Sequence, residues 1–261
     1  MRTPILPWLL LFITSGGTSL AGDFDHQHAE WTEVLSTYVA MDRGTSLVDY
    51  QGISEHRTGL DQYLKDVEGV SLKEYTGWSP SERLAFLINA YNAFTVKLIV
   101  DNYPVDSIKD LGGWISTPWK KPFFTLLGEE RHLDNIEHDM IRVEFDEPRI
   151  HFAVNCAAVG CPALRKEAFV ARRLDQQLEE ATRSFLTDNR RNRYRADGQR
   201  LELSPIFRWY HNDFEHNQGS LEAFVADRIT RDPEARERIR RKKVKVVYLD
   251  YDWSLNDQTR E

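Results

Sequence analysis

From Leu84 to Ile99 the chain is apolar almost all round a helical wheel. Leu84, Leu87, Ile88, Tyr91, Thr95 and Leu98 make one face, and Phe86, Ala90, Ala93 and Phe94 fill much of the remainder. A helix with that distribution is predicted to be central and buried. Its start is marked by Ser79-Pro80-Ser81-Glu82, in which Ser79 caps, Pro80 suits the first helical position and Glu82 completes a capping box. Shorter helical patterns cover Trp31 to Tyr38 and Gly59 to Val67, with an irregular stretch between them that holds Gly44, Tyr50 and Gly52. After Pro162, Phe169, Leu174, Leu178, Ala181 and Phe185 recur at helical spacing.

Strand signals are short and scattered. Phe123 to Leu127, Gly128-Glu129-Glu130 and Arg131 to Leu133 read as a hairpin. Tyr194 to Leu203 reads as a second, turning at Asp197-Gly198. Arg149 to Cys156 is predicted as a strand, and Val244 to Tyr251 closes the chain with a β-rich run. Between them Asp134 is expected to cap a short helix through Ile141, Ser204-Pro205 to start another, and Gly219-Ser220 to start one reaching about Arg240. Hairpins and helices alternate without regular βαβ units. The expected class is therefore α+β, a buried central helix packed on a mostly antiparallel sheet with further helices.

The first residues read differently. Arg2 precedes the short apolar stretch Ile5 to Ile13, and Ser19-Leu20-Ala21 ends in small residues suited to cleavage. This predicts a signal peptide over 1–21, a helical lead-in over 22–75 with a loose polar start to His28, and a main α+β domain over 76–256. The protein is expected to be periplasmic or secreted, with no stable transmembrane segment once the signal is removed, since no second long apolar run follows. Formal net charge is −7, and removal of Arg2 makes it one more negative. Nucleic acid is thus not an expected partner. The basic stretches Arg190 to Arg195 and Arg236 to Lys245 suit solvated helix ends better than a phosphate site.

The candidate chemistry centres on Arg149 to Pro162, which holds the only two cysteines, Cys156 and Cys161. Strand alternation would put His151, Ala153 and Asn155 on one side and Phe152, Val154 and Cys156 on the other. Cys156 as a thiol nucleophile would need a base from elsewhere, and His138 leads. Asn89, Asn92 or a carboxylate would orient the imidazole, and Ala157, Ala158 and Gly160 would leave backbone N–H groups for an oxyanion. Equally, an exported chain suits a Cys156–Cys161 disulfide, worth roughly 2 kcal/mol through its small loop. Inert buried thiols or a metal or redox role also remain open. His132, His138, His151 and the cysteines could supply soft ligands, but no metal-binding spacing is present, and neither metal nor cofactor is expected. His26 and His28 near the new terminus could bind metal weakly, and a disordered start explains them as well. Asn89 and Asn92 share a helical face and must find hydrogen-bond partners when buried, either fastening an irregular loop or orienting a substrate. Trp114, Trp119, Trp209 and Trp253 could line a groove for a ligand or serve as packing.

Leu-Ala-Phe-Leu-Ile-Asn-Ala-Tyr-Asn-Ala (84–93), Leu-Asp-Asn-Ile-Glu-His (133–138), His-Phe-Ala-Val-Asn-Cys (151–156) with Cys161-Pro162, Ile-Phe-Arg-Trp-Tyr (206–210) and Tyr-Asp-Trp-Ser-Leu-Asn (251–256) together resemble the domain-of-unknown-function 547 family. The resemblance spans about residues 50 to 256 and carries no assigned activity. It implies that Glu82, Asn89, Asn92, His138, His151 and Cys156 occupy signature positions. The expected site is a cleft where the central helix, the His138 helix and the Cys156 loop converge, with Cys156, His138, His151 and Asn89 as catalytic candidates and Glu82, Asn92 and Trp209 as substrate-binding ones. Two functions follow as expectations. One is a thiol-dependent hydrolase or acyltransferase; the other is a non-catalytic envelope protein with a structural disulfide that binds a small molecule, peptide or glycan.

Overall fold

The computed structural model describes residues 24–113, 116–197 and 199–259. The signal-peptide expectation, Trp114 and the Gly198 half of the second hairpin turn lie outside the described residues. The element order begins α1 (Ala29–Tyr38), β1 (Val39–Asp42), β2 (Thr45–Val48), α2 (Tyr50–Glu55), α3 (Thr58–Gly69), α4 (Leu72–Gly77) and α5 (Pro80–Val100). It continues with β3 (Phe124–Leu126), β4 (Glu129–Arg131), a π-helical segment Asn135–Ile141, α6 (Arg142–Glu144), a 3-10 segment Pro148–Phe152 and α7 (Leu174–Thr187). The last elements are β5 (Arg193–Arg195), β6 (Arg200–Leu203), α8 (Ile206–Trp209), α9 (His211–Gln218), α10 (Leu221–Ile229), α11 (Pro233–Arg240) and β7 (Lys245–Tyr248).

The expected α+β class holds. Helices dominate, and the described strands form two antiparallel hairpins and one three-stranded sheet. In that sheet β5 and β6 are antiparallel, while β7 runs parallel to β6 with Leu203 opposite Tyr248.

α5 begins as its sequence dictates. Ser79 and Glu82 form the reciprocal capping box and Pro80 occupies the first turn. From Leu84 to Val100 every residue but Lys97 is buried. By length and hydropathy α5 could cross a membrane, but 89% of its apolar window is buried inside the protein, so it serves as the core helix. α2 and α3 pack against it, and the β3–β4 hairpin reaches it through Phe94 stacked on Phe124, ring centroids 3.8 Å apart. The hairpin turn needs positive φ at Leu127 and Gly128.

The core has two parts. The larger surrounds α5 and includes Trp31, Tyr50, Tyr63 and Phe86. The smaller gathers Phe152, Phe185, Phe207, Phe214 and Phe224 under α7, α8, α9 and α10. Ile150, Ala153 and Val154 belong to the first part and Phe152 to the second. The segment from Pro148 to Ala157 is therefore the seam between them.

Several local expectations change. The segment predicted as a strand from Arg149 to Cys156 is a 3-10 turn followed by irregular chain. Pro148 starts the turn and the Glu147 side chain accepts from Arg149 N at 3.1 Å. The backbone closes on itself, with Ala153 N and Val154 N both donating to Ile150 O, so no neighbouring strand is needed. The irregular stretch between α1 and α3 contains the β1–β2 hairpin and α2. The predicted loose start is packed from Phe24 onward: its ring meets Trp78 and Phe86. His28 is buried with its ring nitrogen 2.8 Å from the Tyr63 hydroxyl, which replaces the disordered-start reading. Asp134 makes no side-chain cap bond to the helix that follows it. The helix starting at Ser220 breaks before Pro233, where Asp232 caps α11 anew. The basic stretches are helix-end and loop arginines paired with acids, as in Arg190–Asp188, Arg240–Asp227 and Arg241–Glu237.

Candidate functional site

Asn92 builds the seam. Its amide donates to Ala153 O at 2.9 Å and accepts from Asn155 N at 2.8 Å. Asn155 in turn accepts from Ala157 N at 2.9 Å and donates to Pro162 O at 2.8 Å. Two buried amides thus satisfy the backbone of a loop that has no ladder of its own. Asn89 does the same for another loop, donating to Phe169 O at 2.7 Å and accepting from Phe169 N at 3.0 Å. Of the two readings of these asparagines, the loop-fastening one matches the geometry. Neither lines the cavity described below, and Asn89 as a catalytic group and Asn92 as a substrate ligand have both amide ends occupied. Glu82 is also removed from the cavity. It sits in the first turn of α5, holding Ser79 N and Oγ at 2.9 and 2.7 Å.

The C-terminal segment closes the other side of the loop. Val159 N donates to Ser254 O and Gly160 N to Asp252 O. A Cβ on Gly160 would lie 2.9 Å from Asp252 O, so only glycine allows this approach. Asn256, fully buried, accepts from the Tyr50 hydroxyl at 2.7 Å. Tyr251 is thereby laid over Cys156 and Cys161, with Trp253 against its ring.

The two cysteines are joined in a disulfide, with the sulfurs 2.07 Å apart. The Tyr251 hydroxyl lies 3.2 Å from the Cys156 sulfur and 3.1 Å from that of Cys161, and Cys156 N donates to the Cys161 sulfur at 3.0 Å. Burial raises the Tyr251 phenol and keeps it protonated. The disulfide expectation is met, and a bridged Cys156 is not a resting nucleophile. No histidine is a hydrogen-bond partner of either sulfur among the described residues.

Around the bridge lies a cavity of about 330 Å³. Aromatic walls come from Trp119, Trp209, Trp253, Tyr91, Tyr210 and Tyr251. Trp209 stands at the rim, 44% exposed, and stacks with Trp253 at 5.8 Å. The three described members of the tryptophan set thus meet at one place. The polar lining is Asp134, Glu137, His138 and His151, so the cavity brings Cys156, His138, His151 and Trp209 together. His151 and Cys156 both line it, although strand alternation would have put them on opposite sides; the turn at Pro148 removes that period-two geometry.

His151 is the most constrained group. Its Nε2 lies 2.7 Å from Asp213 Oδ2, and its ring stacks on Tyr210 at 3.7 Å. Arg142 donates to both Asp213 oxygens, at 2.7 and 2.8 Å. Burial would raise the Asp213 carboxyl, but the bonds from His151 and Arg142 hold it well below the usual carboxylate range. Burial lowers the His151 imidazole despite Asp213 and Glu137, which favour its charged form. A neutral His151 donates Nε2–H to Asp213 and leaves Nδ1 bare.

Glu137, 4% exposed, is the second constrained group. Its Oε1 is 3.9 Å from His151 Nδ1, and neither atom has a hydrogen-bond partner among the described residues. The Tyr91 and Tyr210 hydroxyls lie against the same carboxylate, and burial first, then this carboxylate, keep both phenols protonated. His138, the leading base in the sequence, is instead bonded through Nδ1 to Arg142 at 2.9 Å. Glu137, Tyr210, Asp213 and Tyr251 were not singled out by the sequence. Glu137, Tyr210 and Tyr251 lie inside motifs quoted above and Asp213 lies three residues beyond one, but periodicity does not tell which polar residue turns inward.

Residues 75–186 match the family model described as Protein of unknown function, DUF547. The resemblance stands. The DUF547 match runs from α4 to the end of α7 and includes Asn89, Asn92, Glu137, His151 and both cysteines. The Ile206–Tyr210 and Tyr251–Asn256 motifs, which supply Trp209, Tyr210, Tyr251 and Trp253 to the cavity, lie beyond the matched residues. No curated protein and no solved structure matches the chain. Among the described residues there is no cluster of three or more metal-binding side chains.

Proposed function

We propose that this chain is an exported binding protein whose ligand, a small molecule or the end of a peptide or glycan, enters the aromatic cavity beside the disulfide. The observation that supports this most is the combination of aromatic walls with two lining residues, Glu137 and His151, that each carry a buried polar atom, Oε1 and Nδ1, without a partner among the described residues. Ligand sites are typically concave, largely apolar and fitted with a few convergent polar groups, and buried polar atoms are normally bonded. The Cys156–Cys161 bridge braces the loop that carries this wall. A bridge also suits an oxidising compartment outside the cytoplasm. Thiol-dependent hydrolysis or acyl transfer is the weaker reading, because it requires a free Cys156 with a base upon it.

The test uses the purified chain without residues 1–21. A fragment library is screened by tryptophan fluorescence and by NMR of labelled Trp indoles. Fragments that shift the Trp209 and Trp253 signals in the wild type, and lose affinity in Trp209→Ala, are the expected result. A library that moves neither signal refutes the reading. Rapid alkylation of Cys156 in the native protein, found by mass spectrometry without reductant, would restore the thiol reading in its place.

A further inference from the structure

The polar end of the cavity has a definite chemical demand. Asp213 takes the Nε2–H of His151, so Nδ1 facing Glu137 is an acceptor. Glu137 Oε1, 3.9 Å away, is an acceptor too. Two acceptors cannot satisfy each other, and each is costly to leave unpaired when buried. A hydroxyl carries one hydrogen and can serve only one of them. A quaternary ammonium carries none. A primary ammonium has three hydrogens and can donate to both atoms at once.

The surroundings favour positive charge. Asp134 and Glu137 line the cavity, and no lysine or arginine does among the described residues. Arg142 lies behind His151, its charge engaged by both oxygens of Asp213. The walls are faces and edges of six tyrosine and tryptophan rings, which attract a cation and also bury an apolar body.

We propose that the cavity binds an organic primary amine, its ammonium seated between Glu137 Oε1 and His151 Nδ1 and its apolar part against Trp209 and Trp253. This rests on the reading of the cavity as a ligand site and adds the class of ligand.

Four probes of one shape test it on the full mature chain: 2-phenylethylamine, 2-phenylethanol, phenylacetate and trimethyl(2-phenylethyl)ammonium. Calorimetry and tryptophan fluorescence should show the amine about tenfold or more tighter than each of the others, a difference of about 1.4 kcal/mol. Glu137→Gln should remove that preference while leaving the melting temperature close to wild type. If Glu137→Gln does not fold, the wild-type protein still decides: labelled His151 should show its Nδ1 signal move on adding the amine and stay unmoved on adding the quaternary ion. Binding of the alcohol, the acid or the quaternary ion as tight as that of the amine overturns the amine assignment and leaves the cavity reading intact. Failure of all four probes overturns the assignment as well; only failure of the whole fragment library removes the cavity reading with it.

Discussion

Asn92 is the side chain on which the site's geometry most depends, and its removal gives the sharpest test of how the seam is held. In Asn92→Ala, Ala153 O loses its donor and Asn155 N loses its acceptor, at 2.9 and 2.8 Å respectively. Each buried backbone group left without a partner costs about 1–3 kcal/mol, so the substitution, which orphans two, should destabilise the protein by about 2–6 kcal/mol. Asn92→Asp isolates half of the clamp: a carboxylate still accepts from Asn155 N but cannot donate to Ala153 O, and sets two acceptors together in a buried place. It should be no more stable than Asn92→Ala. Asn89→Ala is the control, since it breaks the equivalent pair to Phe169. Urea unfolding followed by circular dichroism gives the midpoints, with an unchanged slope required before they are read as stability. Both alanine variants should fall by similar amounts. At urea-free, fully folded conditions only Asn92→Ala should weaken amine binding, because only that clamp positions the His151 and Cys156 segment. A loss below about 1 kcal/mol for Asn92→Ala, or equal binding loss in both variants, would refute the claim that this amide holds the seam.

Acid should destabilise the fold through its buried imidazoles. Burial drives His28 down to about 3 and also lowers His151, so the folded state prefers both neutral. Their contribution is complete above the ordinary histidine value and is lost as pH falls below it toward the folded values. For His28 that is about 2 kcal/mol by pH 5, and a urea midpoint series from pH 7.5 to 5 should show a slope that His28→Gln reduces. Reducing the disulfide should lower stability by about 2 kcal/mol through the small loop it closes, read as a shift in melting temperature between oxidised and reduced-alkylated protein. Trp209→Ala should change stability by less than about 1 kcal/mol, since the side chain stands at the rim, yet weaken every aromatic probe; a large loss of stability would show it to be a packing residue. Gly160→Ala puts a methyl 2.9 Å from Asp252 O and should cost about 1–3 kcal/mol, with loss of the Trp253 signal shift on ligand binding.

The capped central helix, the hairpin at Gly128 and the α+β class were legible because their signals are local. Ser79-Pro80-Ser81-Glu82 places every atom of its cap within one turn, and an apolar surface on all sides demands an apolar surrounding, here the core. The Asn89 and Asn92 amides were legible as a demand, since a buried amide must be bonded, but their partners lie 61 to 80 residues away. The strand reading of Arg149 to Cys156 failed for a similar reason. Val, Phe and Ile suit a strand, but the segment has no neighbour to pair with and is instead gripped by side-chain amides across the seam. That Glu137 as well as His138 lines the cavity was not legible, because the π-helical winding of Asn135–Ile141 rotates side chains away from the positions a regular helix would give them.

By itself the sequence determined the elements with local causes, the chemical inventory of the site and the presence of two cysteines near enough in the chain to join. Tertiary structure decided which of those groups meet. Asp213 reaches His151 across 62 residues, and Tyr251 reaches the two sulfurs across 95 and 90. Such contacts depend on how two parts of a core dock along one seam, where each side chain's direction is fixed by packing on both sides. Local propensity carries no term for that docking, and so the acid–base pair and the aromatic cavity became visible only in the folded chain.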